Sequence, residues 1–180
     1  PFLTPSSWHG VTTAVFGNCG VGFAPVRPGA VPYLINLMQG VEDIPEIVLS
    51  EGVKFDWETF PQFMDSIAAM PRIMDVGTQV PHAALRLYAM GDRGANHRER
   101  PSETEIEHMG SMLEEALNQG ALGFTSSRTN KHRAGDGRRV PTLSADHAEL
   151  QGLAQAMKRA GKGVIEINSD FGPGEFELMR

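Results

Sequence analysis

From Gly10 to Pro25 the chain reads GVTTAVFGNCGVGFAP, a stretch that holds its one cysteine, Cys19. Val11 to Phe16 is an apolar, β-branched run, long enough for one strand buried on both faces. It stops at Gly17-Asn18-Cys19-Gly20, where two glycines let the backbone turn sharply and leave the thiol uncrowded. α/β folds gather their ligands at the carboxyl ends of buried parallel strands, so this turn sits where such a fold places its chemistry. Three roles are open to Cys19. It is a small buried hydrophobe, a thiolate metal ligand, or a nucleophile paired with a histidine from elsewhere in the fold. A dinucleotide loop is excluded. In Gly20 to Pro25 a proline stands where the third glycine belongs, and it interrupts the helix whose N-terminus would hold the phosphates.

Downstream, the pattern alternates helix and strand. Strands are expected at Arg72–Val80, ending in Pro81-His82, at Ala121–Thr125 and at Val164–Asn168. Before the second strand comes a long excursion, residues 26–70, with helical spacing at Val31–Met38, Ile44–Leu49 and Trp57–Met70. Asp56 is the expected N-cap of the third of these helices, and Pro71 its end. The Phe60, Phe63, Met64 and Ile67 stripe reads as core. A short helix is expected over Ala83–Tyr88. Ser102 and Glu105 form a capping box for a helix that ends at Gly120, and Ser144 is the expected cap of a helix reaching Ala160. Helix, glycine turn and buried strand in succession is half of a barrel unit.

The segment GVTTAVFGNCGVGFAP, extended to SSWHGVTTAVFGNCGVGFAPVRPG, resembles the N-acyl-D-amino-acid deacylases, the D-aminoacylase branch of the metal-dependent amidohydrolases. QVPHAALRLYAMG (Gln79–Gly91) and GALGFTSSRTNKHR (Gly120–Arg133) resemble later segments of the same proteins in the same order. The resemblance implies an α/β fold, a TIM-type (β/α)8 barrel. Four candidate strands against the eight of a full barrel of about 250 residues make the chain a partial one. Residues 1–180 are then part of a single catalytic barrel, incomplete at both ends, with residues 26–70 a helical insertion after the first strand. The resemblance also implies zinc as cofactor, with Cys19 as one ligand, and a small N-acyl amino acid as substrate.

The remaining candidates lie at carboxyl ends of strands. His82 is either a pocket group or a backbone partner of the helix that follows it. Thr125 to Arg133 concentrates hydroxyls, an amide and cations. There Arg128 suits a carboxylate such as an N-acyl amino acid presents, with Ser127 and His132 beside it. His9, at the amino end of the first strand, reads as solvated. Glu166 alternates with Ile165 and Ile167 and points inward. Asn168 stands where the family typically has a zinc-binding histidine, and asparagine is a poor zinc ligand. Asn130 stands at about the position of the family's tyrosine, and the general base is expected beyond Arg180.

Composition removes several function classes. A net charge of −6 gives no electrostatic footprint for nucleic acid or an anionic membrane. No apolar run approaches the roughly 20 residues that span a bilayer, and a single cysteine suits a reducing, cytoplasmic setting. Two alternatives to the metal hydrolase stay open: a cysteine hydrolase with Cys19 as nucleophile and His82 as base, and a non-catalytic barrel relative that binds small acids.

Overall fold

A computed structural model describes residues 3–180. Its centre is a four-stranded, all-parallel sheet whose strands lie in chain order: β1 (Thr13–Phe16), β2 (Asp75–Pro81), β3 (Gly123–Arg128) and β4 (Val164–Ser169). After α1 (Thr4–Trp8), the first crossover carries α2 (Val31–Glu42), α3 (Glu46–Gly52) and α4 (Phe60–Ala69). The second carries α5 (His82–Met90) and α6 (Glu103–Gln119), and the third α7 (His147–Ala160). A short α8 (Glu175–Leu178) closes the chain. Neighbouring strands in sequential order, joined by helical crossovers, are the winding of a (β/α)8 barrel, of which this is about half.

Alternation along the strands separates two environments. Val80 of β2 and Phe124 of β3 face the helices, where they share one core with Phe60, Leu85, Met109, Leu113, Leu117, Leu153 and Met157. Gln79, Thr125, Ser127, Glu166 and Asn168 take the other face and form a polar layer linked by hydrogen bonds. A barrel lumen near its catalytic mouth has this polarity.

Helix α6 follows its sequence signals. Ser102 and Glu105 close the capping box, and Gly120 ends the helix in the left-handed conformation. Of the stripe Phe60, Phe63, Met64 and Ile67, Phe60 is buried in the core, Phe63 and Met64 pack against it half-buried, and Ile67 stays half-buried outside it. Phe23, Phe55, Trp57, Phe63 and Phe60 form a chain of aromatic contacts with centroids 5.0–5.6 Å apart, and Trp57 Nε1 donates to the Phe23 carbonyl at 2.8 Å.

Several expectations shift. The cap of α4 is Thr59, not Asp56, because Gln62 stands at the third helical position and returns its side chain to the Thr59 amide. The cap of α7 is Asp146, not Ser144. Ser144 instead bonds His97. β3 starts and ends later than Ala121–Thr125, since Ser126, Ser127 and Arg128, read as loop from their polarity, pair with Ile167, Asn168 and Ser169. β1 is not buried on both faces. It forms one edge of the sheet, with Val15 41% and Phe16 36% exposed, and β4 forms the other, with Val164 67% exposed.

The corrected cap of α4 is testable. Thr59→Ala should lower the unfolding free energy by about 1 kcal/mol, whereas Asp56→Ala should change it by no more than about 0.5 kcal/mol. Urea denaturation of both variants checks this.

Candidate active site

Cys19 is held in a costly conformation. It lies in a short 3-10 turn, Asn18–Gly20, with φ +63°, in the left-handed region that β-carbon-bearing residues avoid. What holds it is β3. The Thr125 hydroxyl donates to the Gly17 carbonyl at 2.5 Å and accepts from the Gly20 amide at 3.1 Å, bracketing the turn from both sides. Gly20 leaves no room for a side chain, because a β-carbon there would stand 2.5 Å from the Ser127 backbone nitrogen. The turn is therefore pressed onto the inward face of β3, and the thiol comes to rest half-buried at the carboxyl ends of the strands.

Around the sulfur the polar layer converges. Asn168 Nδ2 lies 4.0 Å from Cys19 Sγ and 3.5 Å from His132 Nε2. An amide nitrogen is donor-only, so the Nε2 facing it carries the lone pair, and His132 Nδ1 donates to Ser127 Oγ at 2.8 Å. One layer below, Gln79 Nε2 bridges Glu166 Oε2 at 2.7 Å and Asn18 Oδ1 at 3.2 Å, which gives the inward-facing Glu166 the donor it needs. Burial, then the Glu42 carboxylate, push the Cys19 thiol up; the Asn168 amide opposes them and Glu166 adds to the rise. Burial pushes His132 down against Glu42 and Asp170. The loop carrying His132 is braced: Asp170 accepts from the Thr129 hydroxyl at 2.5 Å and the Asn130 amide at 2.7 Å.

The donors here, a thiol and an imidazole, suit a borderline-soft ion such as zinc. Among the described residues no three His, Cys, Asp or Glu side chains gather as a metal site.

The other candidates fall elsewhere. Arg128 is already engaged: Nε and Nη2 fork onto Glu175 at 3.0 and 2.8 Å, and Nη1 donates to the Ala145 carbonyl. His82 is fully enclosed and turned to the helix layer. Its Nε2 donates to Glu149 Oε1 at 2.9 Å and its Nδ1 accepts from Ser126 Oγ at 2.9 Å. Arg86 Nη1 reaches both Glu149 oxygens, at 2.6 and 2.5 Å. Burial pushes His82 down, the Glu149 bond only partly restoring it. Burial alone would raise the Glu149 carboxyl, but His82 and Arg86 hold it below the usual carboxylate range. With both nitrogens occupied on the opposite side of β3 from Ser127, His82 is no base for Cys19. His9 is exposed, as expected.

Sequence reasoning passed over Thr125 as a clamp and Glu149 as a buried anion. Glu149 was findable: it lies four residues before Leu153 on the inward stripe of α7, where a carboxylate requires a cation, and Arg86 sits one turn beyond His82.

No family model matches the chain. A D-aminoacylase of Alcaligenes xylosoxydans xylosoxydans is 31% identical over 124 residues, covering 69% of this chain and 22% of that protein. The crystal structure of an N-acyl-D-glutamate deacylase from Bordetella bronchiseptica, complexed with zinc and a phosphonate mimic of the tetrahedral intermediate, superposes with a TM-score of 0.67 at 30% identity, over 93% of this chain and 30% of that one. A D-aminoacylase structure described for its binuclear metal centre gives a TM-score of 0.67 at 26% identity, covering 98% of this chain and 32% of its own. The chain thus spans less than a third of the length of each.

Removing Glu149 strands Arg86 and leaves His82 half-satisfied, so Glu149→Ala should cost about 3–5 kcal/mol of stability in denaturant titration. His82 sets a pH dependence with a definite sign. Its native form resists protonation, so the unfolded chain takes up the proton first as pH falls below about 6.5. The stability it contributes is complete above that pH and declines below it. His82→Gln should flatten this decline between about pH 6.5 and 5, measured by urea denaturation at stepped pH.

Proposed function

This chain belongs to the N-acyl-D-amino-acid deacylases, a branch of the amidohydrolases, and on that premise we propose that the whole protein hydrolyses the amide bond of N-acyl-D-amino acids with zinc as cofactor. The observation that carries the reading is the cysteine turn. A thiol in a strained conformation, clamped at the carboxyl end of a parallel strand and sharing the Asn168 amide with an imidazole nitrogen, is a donor set out of place in a packed core.

Cys19 would hold the ion, which when bound supplies Lewis acidity toward a scissile carbonyl and lowers the pKa of water. The rest of the work described by this chain is positioning. Thr125 fixes the turn so that Sγ keeps its direction. Ser127 fixes the tautomer of His132. Glu166, Gln79 and Asn18 fill the lumen below and give the mouth a polar floor. Ser127 and His132, hydrogen-bonded to each other, form one wall of the mouth, and the acyl amino acid is placed against them. Arg128 meets a substrate carboxylate by exchanging it for Glu175, a like-for-like replacement at a guanidinium that is 8% exposed. His82 contributes from behind, by holding Ser126 and with it the end of β3. No described helix is long and apolar enough to cross a membrane, and a cytoplasmic setting would keep the thiol reduced.

The nucleophilic reading of Cys19 loses support from the same geometry, since burial and nearby carboxylates push the thiol up and His82 is committed to Glu149.

The test is turnover of paired N-acyl-D- and N-acyl-L-amino acids by the whole protein. Hydrolysis of the D series is expected, abolished by a zinc chelator and restored by zinc, with metal content reduced in Cys19→Ala. Activity that survives chelation but not thiol alkylation would reverse the assignment in favour of a cysteine hydrolase. Carboxylate binding without turnover would mark a non-catalytic relative. The 180 residues alone are expected to show no turnover, because a catalytic zinc takes three protein ligands.

A further inference from the structure

We infer that His132 is the second protein donor to the ion held by Cys19, and that Asn168 beside it is not a ligand. The inference rests on the zinc reading above and makes it specific. Asn168 presents its amide N–H2 toward two atoms at once, Cys19 Sγ at 4.0 Å and His132 Nε2 at 3.5 Å. Both bear lone pairs, so the electropositive amide N–H2 occupies a point that two electron-pair donors share. A cation suits that point better than an amide does, since a thiolate and an imidazole are strong zinc donors and a carboxamide is a poor one.

The ring of His132 is mounted as a metal-ligating histidine is mounted. Its far nitrogen is given to a fixed acceptor, Ser127 Oγ at 2.8 Å, which sets the tautomer and aims Nε2. Ser127 is fully buried, and its carbonyl is held by the Thr142 hydroxyl at 2.6 Å. The loop is tied at Asp170 and again by Arg139, which donates to the Asn130 carbonyl at 2.5 Å.

Cobalt(II) binding to the whole protein tests this without reference to activity. The wild type should show thiolate-to-cobalt charge transfer. His132→Ala should keep that band but change the ligand-field spectrum and weaken binding by more than about 10-fold, and Ser127→Ala should weaken it by about 10-fold. Asn168→Ala should bind as tightly as the wild type or more tightly, because the amide competes with the ion for one place. Circular dichroism establishes that each variant folds, and His132→Gln serves as the second variant if alanine does not. Unchanged affinity and ligand-field spectrum in the His132 variants, or a loss confined to Asn168→Ala, would overturn the assignment while leaving Cys19 as a ligand. Absence of the charge-transfer band in the wild type would overturn the zinc reading itself, and this inference with it.

Discussion

One hydroxyl carries much of the site. Thr125 satisfies the Gly17 carbonyl and the Gly20 amide together, and in doing so holds Cys19 in a backbone conformation that costs on the order of 1–2 kcal/mol. Neither group could be left unpaired at the bottom of the turn without a comparable penalty. The cysteine turn and β3 therefore form one unit although more than a hundred residues separate them. The next residues continue the arrangement: Ser126 binds the helix layer through His82, and Ser127 binds the lumen through His132. Three successive hydroxyls on one strand address three different partners, alternating sides as the pleat requires.

Behind the sheet, stability and positioning share one set of charges. Arg86 and Glu149 are both about fully enclosed, and such a pair gains little over a hydrophobic pair of the same volume. Its effect is geometric. It joins α5 to α7, and through His82 it fixes the end of β3 from the side opposite the mouth. Arg86 also reaches the Glu99 carbonyl at 2.7 Å, which ties the loop before α6 into the same frame.

Much of this architecture was legible in the residues. The period-3.6 stripes, the Ser102–Glu105 box and the Gly120 stop placed α6, and apolar runs bounded by glycine or proline placed the four strands. The GNCG turn at the end of an apolar run singles out Cys19 from the residues alone. What escaped had a common cause. The end of β3 is a strand whose side chains are polar because each meets a distant partner, and local composition reads such a segment as loop. The cap at Thr59 escaped because a box with Gln62 outweighs an isolated aspartate. Exposure of β1 and β4 escaped because an apolar run records what a strand can bury, not whether a neighbour is beside it. His82 was drawn to the mouth by its place after β2, but its side chain follows α5, which turns it to the back.

Ser126, His82 and Glu149 are joined hydroxyl to imidazole to carboxylate, in the same order of bonds that serine hydrolases use. The ring is turned over, however: Nδ1 meets the serine and Nε2 the carboxylate, where a catalytic triad has Nε2 at the serine and Nδ1 at the carboxylate. The serine has no accessible surface, no path by which a carbonyl carbon could approach it, and the imidazole is wedged against Phe124. The trio is a decoy: like partners in like order, put to structural use by reversing the imidazole and sealing it in, so that ring orientation and solvent access both separate scaffold from reagent.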